Sequence, residues 1–386
     1  MKIALIRKYY TDFGGAERYT SALAEHLLGI GHEVHVFANN WKIEGETTGK
    51  KRIIFHRVPM FKGLSVLEAL SFVLNARSML KKERFDIIHS FERTIYQDIY
   101  RAGDGCHREW LIQRRKIDPW YKMFVNRINP LHLVLLGIER NIFQDGNYRM
   151  IIAISKRGRE EIIKHYKVPP EKIKVLYNAI DSSRFRLKNR AEARANVRKS
   201  IGIPDTASLL IFVGSGFKRK GLKAVIKALA KLDPDIMLMV IGRDRTGYYL
   251  RLAKEEGVEN RIFFMGPVVD VEKYYSAGDL FVFPTIYEPF GNVCLEAMAA
   301  GLPVITSRIC GASEVLADGR NGYVIDDPTD HDEIAVKIRM GLDIDSESVQ
   351  CFNEETLSLH TWERYLEQLS VIYGEMCGNQ RYSEGN

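Results

Sequence analysis

Twice in this chain a short apolar strand runs into a glycine-bearing loop, then a helix, then another strand, and this repeated order constrains the fold most. In the first copy, Ile3 to Ile6 reads as a strand and Arg7 to Gly15 as a loop carrying Gly14 and Gly15. A helix from about Ala16 to Leu28 places Leu23, Leu27 and Leu28 on one side, ends at Gly29 and Gly31, and leads into a strand at Val34 to Ala38. A strand–helix–strand unit of this length requires parallel strands joined by a crossover. Further strands are predicted at Phe85 to Phe91 and Met150 to Ile154, with Ser155 placed as an N-cap. The second copy starts with a strand at Ser208 to Val213, the loop Gly214-Ser215-Gly216 and a helix from about Gly221 to Leu232. Strands at 236–241, 261–265, 280–283, 304–306 and 322–325 then alternate with helices near 248–256, 271–277, 292–300 and 312–317. The alternation predicts two doubly wound α/β domains in series.

A length of 386 residues suits two domains. Val168-Pro169-Pro170 is the expected hinge, because two prolines stop a helix and lack backbone donors. The predicted division is 1–168, 171–360, and a last amphipathic helix with its tail at 361–386, carrying Trp362, Tyr365, Leu366, Leu369 and Ile372 at helical spacing. The five cysteines are scattered, odd in number and never in a Cys-x-x-Cys pair, which argues against a disulfide framework or a structural zinc built on cysteines. Met1 to Arg7 holds four consecutive apolar residues, too few for a secretory signal, and the run Leu133 to Ile138 falls far short of a bilayer span. The expectation is therefore a cytoplasmic protein. Residues 1–170 hold 29 Lys and Arg against 18 Asp and Glu, whereas the remainder holds 27 against 31. A basic front half suits an anionic partner; nucleic acid, an acidic membrane surface and a phosphorylated acceptor all fit this asymmetry.

Two clusters lie at predicted strand ends of the second domain, where ligands of parallel sheets bind. Phe217-Lys218-Arg219-Lys220-Gly221 follows the strand at 208–213 and precedes a helix, giving cations and free backbone N–H groups suited to a diphosphate. Glu288-Pro289-Phe290-Gly291-Asn292-Val293-Cys294-Leu295-Glu296 follows the strand at 280–283, with Glu288 in the loop and Glu296 on the next helix. Carboxylates there suit the hydroxyls of a ribose and a hexose. Spacing alone carries little, since Glu-x7-Glu pairs arise often by chance; the position at a strand end carries the reading.

With these residues in view, the chain resembles retaining glycosyltransferase family 4, whose paired glutamates correspond to Glu288 and Glu296. Gly14-Gly15-Ala16-Glu17, Tyr177-Asn178-Ala179-Ile180-Asp181, Gly266-Pro267 and Gly301-Leu302-Pro303-Val304 agree, so the likeness covers almost the whole chain. Within the family it is most similar to the branch that glucosylates the inner-core heptose of lipopolysaccharide. That narrower likeness rests on Ala102-Gly103-Asp104-Gly105-Cys106, on Gly214 to Gly221 and on Cys310-Gly311, although Glu288-Pro-Phe-Gly is the general family form and departs from that branch. The resemblance implies a GT-B fold, two Rossmann-like domains facing a central cleft, with the C-terminal helix crossing back to the N-terminal domain. It implies transfer of a hexose, glucose in that branch, from UDP-glucose or another nucleotide diphosphate sugar to a glycolipid or lipopolysaccharide core acceptor. Arg219 and Lys220 would hold the diphosphate, with Gly216, Phe290, Gly291 and Asn292 around the nucleotide sugar. Glu296 would bind the ribose and Glu288 the sugar, while Gly14 and Gly15 would approach the phosphate or the transferred sugar. Asp104 would stand near the anomeric carbon, and His107 reads as structural or surface. Retention without an evident nucleophile suggests front-face displacement, in which the protein orients reactants and neutralises charge. With no Asp-x-Asp at a strand end, no metal and no other cofactor is expected. Other readings are a family member with a different donor or a non-catalytic sugar-nucleotide-binding protein. No Gly-x-Gly-x-x-Gly follows the first strand, which speaks against a dinucleotide oxidoreductase.

A basic and aromatic insertion is expected at about 107–138. Between Arg108 and Arg127, six basic residues, among them Arg114, Arg115, Lys116 and Lys122, interleave with Trp110, Trp120, Tyr121 and Phe124. This suits an anionic bilayer surface or the acceptor, and a protein held peripherally at the inner membrane. Pro119 predicts two short helices instead of one. Single-stranded nucleic acid could use the same composition, but no other motif supports it, and no nucleic acid partner is expected.

Overall fold

A computed structural model describes residues 1–11, 15–42, 53–146 and 148–383. The elements are β1 (Lys2–Ile6), β2 (Tyr9–Thr11), α1 (Gly15–Gly29), β3 (Glu33–Ala38), β4 (Asn40–Lys42), β5 (Ile54–Arg57), α2 (Ser65–Leu80), β6 (Ile87–Ser90), β7 (Ile99–Arg101), α3 (His107–Gln113), α4 (Trp120–Ile128), α5 (Pro130–Phe143), β8 (Met150–Ala153), α6 (Lys156–Tyr166) and β9 (Ile173–Val175). They continue as α7 (Arg190–Ile201), β10 (Ser208–Val213), α8 (Phe217–Lys220), α9 (Leu222–Leu229), β11 (Ile236–Ile241), α10 (Gly247–Glu255), β12 (Ile262–Gly266), α11 (Val271–Ala277), β13 (Leu280–Phe283), α12 (Asn292–Ala299), β14 (Val304–Ser307), β15 (Gly322–Ile325), α13 (His331–Leu342), α14 (Ser346–Ser358) and α15 (Trp362–Ser383).

Two compact units result, one of Met1–Tyr177 with Glu363–Asn386, the other of Asn178–Trp362. The Pro169-Pro170 pair lies inside the first unit, where Pro170 opens a 3-10 turn leading into β9. β9 completes the first sheet, so the chain crosses between units only after it. Each sheet is parallel throughout, in the orders β5-β3-β1-β6-β7-β8-β9 and β12-β11-β10-β13-β14-β15. In both, the strand order reverses beside the first strand of the unit, at β1/β6 and at β10/β13, and such switch points are where doubly wound sheets bind ligands.

The strands are near-continuous apolar runs, as burial on both faces requires. Leu209, Leu210, Ile211 and Phe212 of β10 are fully buried, and α9 covers the face of Leu210 and Phe212 with Leu222, Val225, Ile226 and Leu229. In the first unit, α15 buries Tyr365, Leu366, Leu369, Ile372, Tyr373 and Met376. Tyr373 Oη lies 2.7 Å from Nδ1 of buried His89, and Tyr365 meets Tyr19 edge to face at 5.2 Å. The last helix thus belongs to the first unit's core.

Three local expectations change. The loop after β1 contains β2, which pairs with β4 in a small parallel ladder. The helix expected at 312–317 is a 3-10 turn at Gly311–Val315. Lastly, Phe217 to Lys220 is itself a helical turn, followed by Gly221 at φ 84° and then α9. A Cβ on Gly221 would lie 2.0 Å from Pro284 O, so no larger residue fits between the two helices.

Candidate active site

At the carboxyl end of β10, Gly216 adopts a left-handed conformation and α8 turns immediately after it. Asp244, from the loop after β11, accepts a 2.7 Å hydrogen bond from Phe217 N, and the Phe217 ring is buried, which anchors the turn. The turn presents Arg219 and Lys220 to the segment after β13. Arg219 Nη1 donates to Glu288 Oε2 at 2.7 Å and to Tyr287 O at 2.9 Å, while Lys220 Nζ donates to the same Glu288 oxygen. Backbone contacts fix the pairing: Ile286 N and Thr285 Oγ1 both donate to Arg219 O. Lys220 runs its stem beside Gly214 and puts Nζ 4.7 Å from the Phe283 ring centre. Its side chain is 9% exposed, against 35% for Arg219, so the cluster is open on the Arg219 side. Burial pushes the Glu288 carboxyl up, but Lys220 and Arg219 outweigh it and hold the group below the ordinary carboxylate range. Two cations and one carboxylate leave a net charge of +1 at a strand switch point.

Gly291, at φ 98°, starts α12, and a Cβ there would lie 2.8 Å from Cys310 Sγ. Asn292 at the first turn accepts from Asn178 Nδ2 at 2.6 Å. Glu296, one turn further, accepts from the hydroxyl of fully buried Tyr275 at 3.0 Å, which orients its carboxylate. Phe290, expected around the nucleotide sugar, instead buries its side chain and tilts against His360. Ala312 N and Cys310 Sγ bond its carbonyl, so it shapes the loop from within.

In the first unit, Asp104 lies just beyond β7 and is half exposed, 3.3 Å from Arg93 Nη1. Arg93 also donates to Gly105 O at 3.0 Å and to Glu139 at 3.1 Å. Fully buried Glu139 accepts further from His107 N and Tyr166 Oη, so a single carboxylate ties the Asp104 loop to the start of α3. His107 is buried beside His132, and burial, with help from Arg93, lowers its pKa to about 3, a structural placement. Gly15 opens α1, and Gly14 lies outside the described residues.

Residues 13–184 match the family described as Glycosyltransferase Family 4, and residues 193–355 match glycosyl transferases group 1. A D-inositol 3-phosphate glycosyltransferase of Corynebacterium glutamicum (strain R) is 32% identical over 421 aligned residues, covering 96% of this chain and 93% of that protein. This chain is a family 4 glycosyltransferase. The lipopolysaccharide glucosyltransferase WaaG of Escherichia coli (strain K12) is 29% identical over 346 residues, 89% of this chain and 90% of WaaG. A crystal structure of WaaG superposes with a TM-score of 0.78 at 26% identity, covering 96% of this chain and 99% of that one. Anabaena HepE, solved in complex with UDP and glucose, shares the fold at a TM-score of 0.70 and 20% identity, over 97% and 99% of the two chains.

A further carboxylate at a strand end of the first unit, absent from the expectations drawn from sequence, is Glu92. It follows β6 at the first sheet's switch point, accepts from Lys8 N at 3.1 Å and lies 3.4 Å from Arg7 Nη1. Burial raises its pKa, Arg7 opposes that shift, and Asp104 adds to it. The signal available was a carboxylate directly after a buried strand; what hid it was the absence of any motif around it.

The basic stretch forms α3, a 3-10 turn at Arg114–Lys116, α4 and α5, with Pro119 at the break. Arg114 does not join the outward surface. Its Nε donates to Asp118, whose side chain is 3% exposed, and its guanidinium stands 5.9 Å from the Trp110 ring. Arg115, Lys116 and Lys122 are exposed, together with Trp120 (74%), Tyr121, Val125 and Ile128. Among the described residues, no helix is long and apolar enough to cross a membrane.

Proposed function

We propose that this enzyme transfers a hexose, glucose from UDP-glucose, with retention of configuration, to a glycan acceptor held at a membrane, of the lipopolysaccharide inner-core type. The carrying observation is the pairing of Arg219 and Lys220 at the β10/β13 switch point with Glu288. A diphosphate brings two negative charges to a cluster whose net charge is +1, and guanidinium and ammonium donors suit its oxygens. In this reading Arg219 and Lys220 hold the diphosphate and stabilise it as it departs, so the protein's own cations take the place of a metal ion. Glu288 keeps both cations aimed and has a second oxygen for a sugar hydroxyl. Glu296, oriented by Tyr275, takes the ribose hydroxyls, while Gly216, Gly291 and Asn292 bring backbone close to the nucleotide sugar. Transfer is a front-face displacement: the acceptor hydroxyl attacks the anomeric carbon from the side the phosphate leaves, and the leaving phosphate oxygen takes its proton. Asp104, braced by Arg93, belongs to the acceptor side near the anomeric carbon, and Gly15 lets the backbone approach the phosphate or the transferred sugar.

The similarity to WaaG supports the acceptor class, and the fold shared with a UDP–glucose complex supports the donor. Exposed Trp120, Tyr121 and Ile128 beside Arg115, Lys116 and Lys122 support peripheral attachment to an anionic bilayer at the cytoplasmic face of the inner membrane. Calorimetry with UDP, GDP and ADP, followed by hydrolysis of a panel of sugar nucleotides, tests the assignment. UDP should bind tightest, and Glu296→Gln should weaken it about tenfold by removing a charged acceptor. Preference for GDP or ADP, or unchanged UDP binding in Glu296→Gln, overturns the donor reading.

A further inference from the structure

The β3–β5 edge of the first sheet carries a group of side chains outside the donor and acceptor residues of the proposed transfer. His35 on β3 and His56 on edge strand β5 place Nδ1 and Nε2 2.7 Å apart. Glu83, in the turn after α2, brings Oε2 to 4.0 Å from His35 Nδ1. One atom from each of the three residues lies within 4.8 Å of the others. Lys2, Glu33 and Glu83 all sit at the starting ends of strands or before one, whereas Glu92 and Asp104 follow the carboxyl ends. Glu83 approaches from the starting ends, and two strands, β3 and β1, separate His56 on the edge strand from β6, which Glu92 follows.

We propose that His35, His56 and Glu83 form a binding site for a zinc-class divalent cation. Four features support this. Nitrogen and oxygen donors in a two-histidine, one-glutamate set, with a fourth position left to water, are a recognised zinc ligand set. Glu33 Oε1 stands 2.7 Å from His35 Nε2, so the carboxylate holds that proton and leaves the Nδ1 lone pair for a metal. A carboxylate behind a ligating imidazole is the usual outer-shell arrangement. The rings are fixed by packing: His56 stacks on Phe37 at 4.4 Å and His35 meets Phe85 edge-on at 5.1 Å. Finally, Lys2 Nζ bonds the other Glu83 oxygen, Oε1, at 2.5 Å, so one oxygen remains for the ion. Glu33, Glu83 and Lys2 sum to one negative charge beside two imidazoles, which favours an added cation.

Without metal, the His56 Nε2 proton bridges the two rings. Binding moves that proton to Nδ1 of His56 and widens the nitrogen separation to about 3.3 Å, as tetrahedral coordination at about 2.05 Å requires. Half-exposed Glu83, whose side chain is 40% exposed, gives the ion an entry from solvent. Once bound, the ion ties edge strand β5 to β3 and to the turn leading into β6, a structural role.

The test is equilibrium dialysis of the untagged chain with Zn2+, with Co2+ absorption to report tetrahedral nitrogen–oxygen ligation. The wild type should take up one equivalent saturably and unfold at a higher temperature with Zn2+ present. His56→Gln and Glu83→Gln should each lose binding by at least a hundredfold, and Glu33→Gln by about tenfold through the outer shell. Glu83 is a surface group, so its variant keeps the test valid even where His56→Gln disturbs the sheet. Absence of saturable uptake by the wild type, or unchanged uptake in Glu83→Gln, overturns the proposal.

Discussion

Replacing Lys220 by methionine removes one charge while keeping most of the stem that packs beside Gly214 and the Phe283 ring. Two consequences separate cleanly. Glu288 retains Arg219 at 2.7 Å, so no buried carboxylate is stranded, and the fold should lose only about 1 kcal/mol. Transfer loses a donor that acts on charge developing on the departing diphosphate. Deleting one such preorganised donor costs about 100- to 1,000-fold in turnover, roughly 3–4 kcal/mol. Lys220→Ala should behave alike in turnover and lose more stability through the missing stem. The reverse deletion, Glu288→Gln, should invert the pattern. It leaves Lys220, with only 9% of its side chain exposed, beside a second cation and no carboxylate, a change expected to cost about 3–5 kcal/mol of stability. The assays are initial rates at saturating sugar nucleotide and urea unfolding of each variant. A Lys220→Met enzyme within threefold of wild-type turnover would refute the leaving-group role, and a fully stable Glu288→Gln would refute the charge accounting.

Acid should weaken the first unit through His89. Burial lowers its pKa to about 3 from an ordinary 6.5, with Arg101 adding to the effect. The unfolded chain therefore takes up this proton below pH 6.5 while the folded chain refuses it until about 3, so stability falls as pH drops through that window, by about 2–3 kcal/mol near pH ~4.5. His89→Gln should flatten the stability–pH slope by about one proton in urea titrations; an unchanged slope refutes this. For membrane attachment, Arg115→Gln, Lys116→Gln and Lys122→Gln together should weaken binding to anionic vesicles about a hundredfold, at roughly 1 kcal/mol per cation, with UDP affinity unchanged. Equal vesicle binding removes the membrane reading. Arg114 is left intact in that variant because its partner Asp118 is buried.

Much of the candidate site was readable because its chemistry and its place coincide. Lys220, Glu288 and Glu296 follow strands that apolar composition alone marks out, and the ends of parallel strands are where ligands bind. Glu92 and Arg93 escaped notice because their partners, Arg7 and Glu139, come from β1's end and from α5, far apart in sequence. The burial of Phe290 was not legible, because a phenylalanine between proline and glycine offers no sign of which way its ring points. His35, His56 and Glu83 likewise carry no spacing signal, since three separate elements bring them together.

By itself the sequence determined the alternation of buried strands and helices, hence two parallel sheets, because period and apolar run length are local properties. Only the tertiary structure decided that Lys220 and Arg219 share one carboxylate oxygen and which side chains of α15 enter the first unit's core. Those outcomes depend on which distant side chain reaches a charge or a ring first, and burial makes that choice once the sheets have closed.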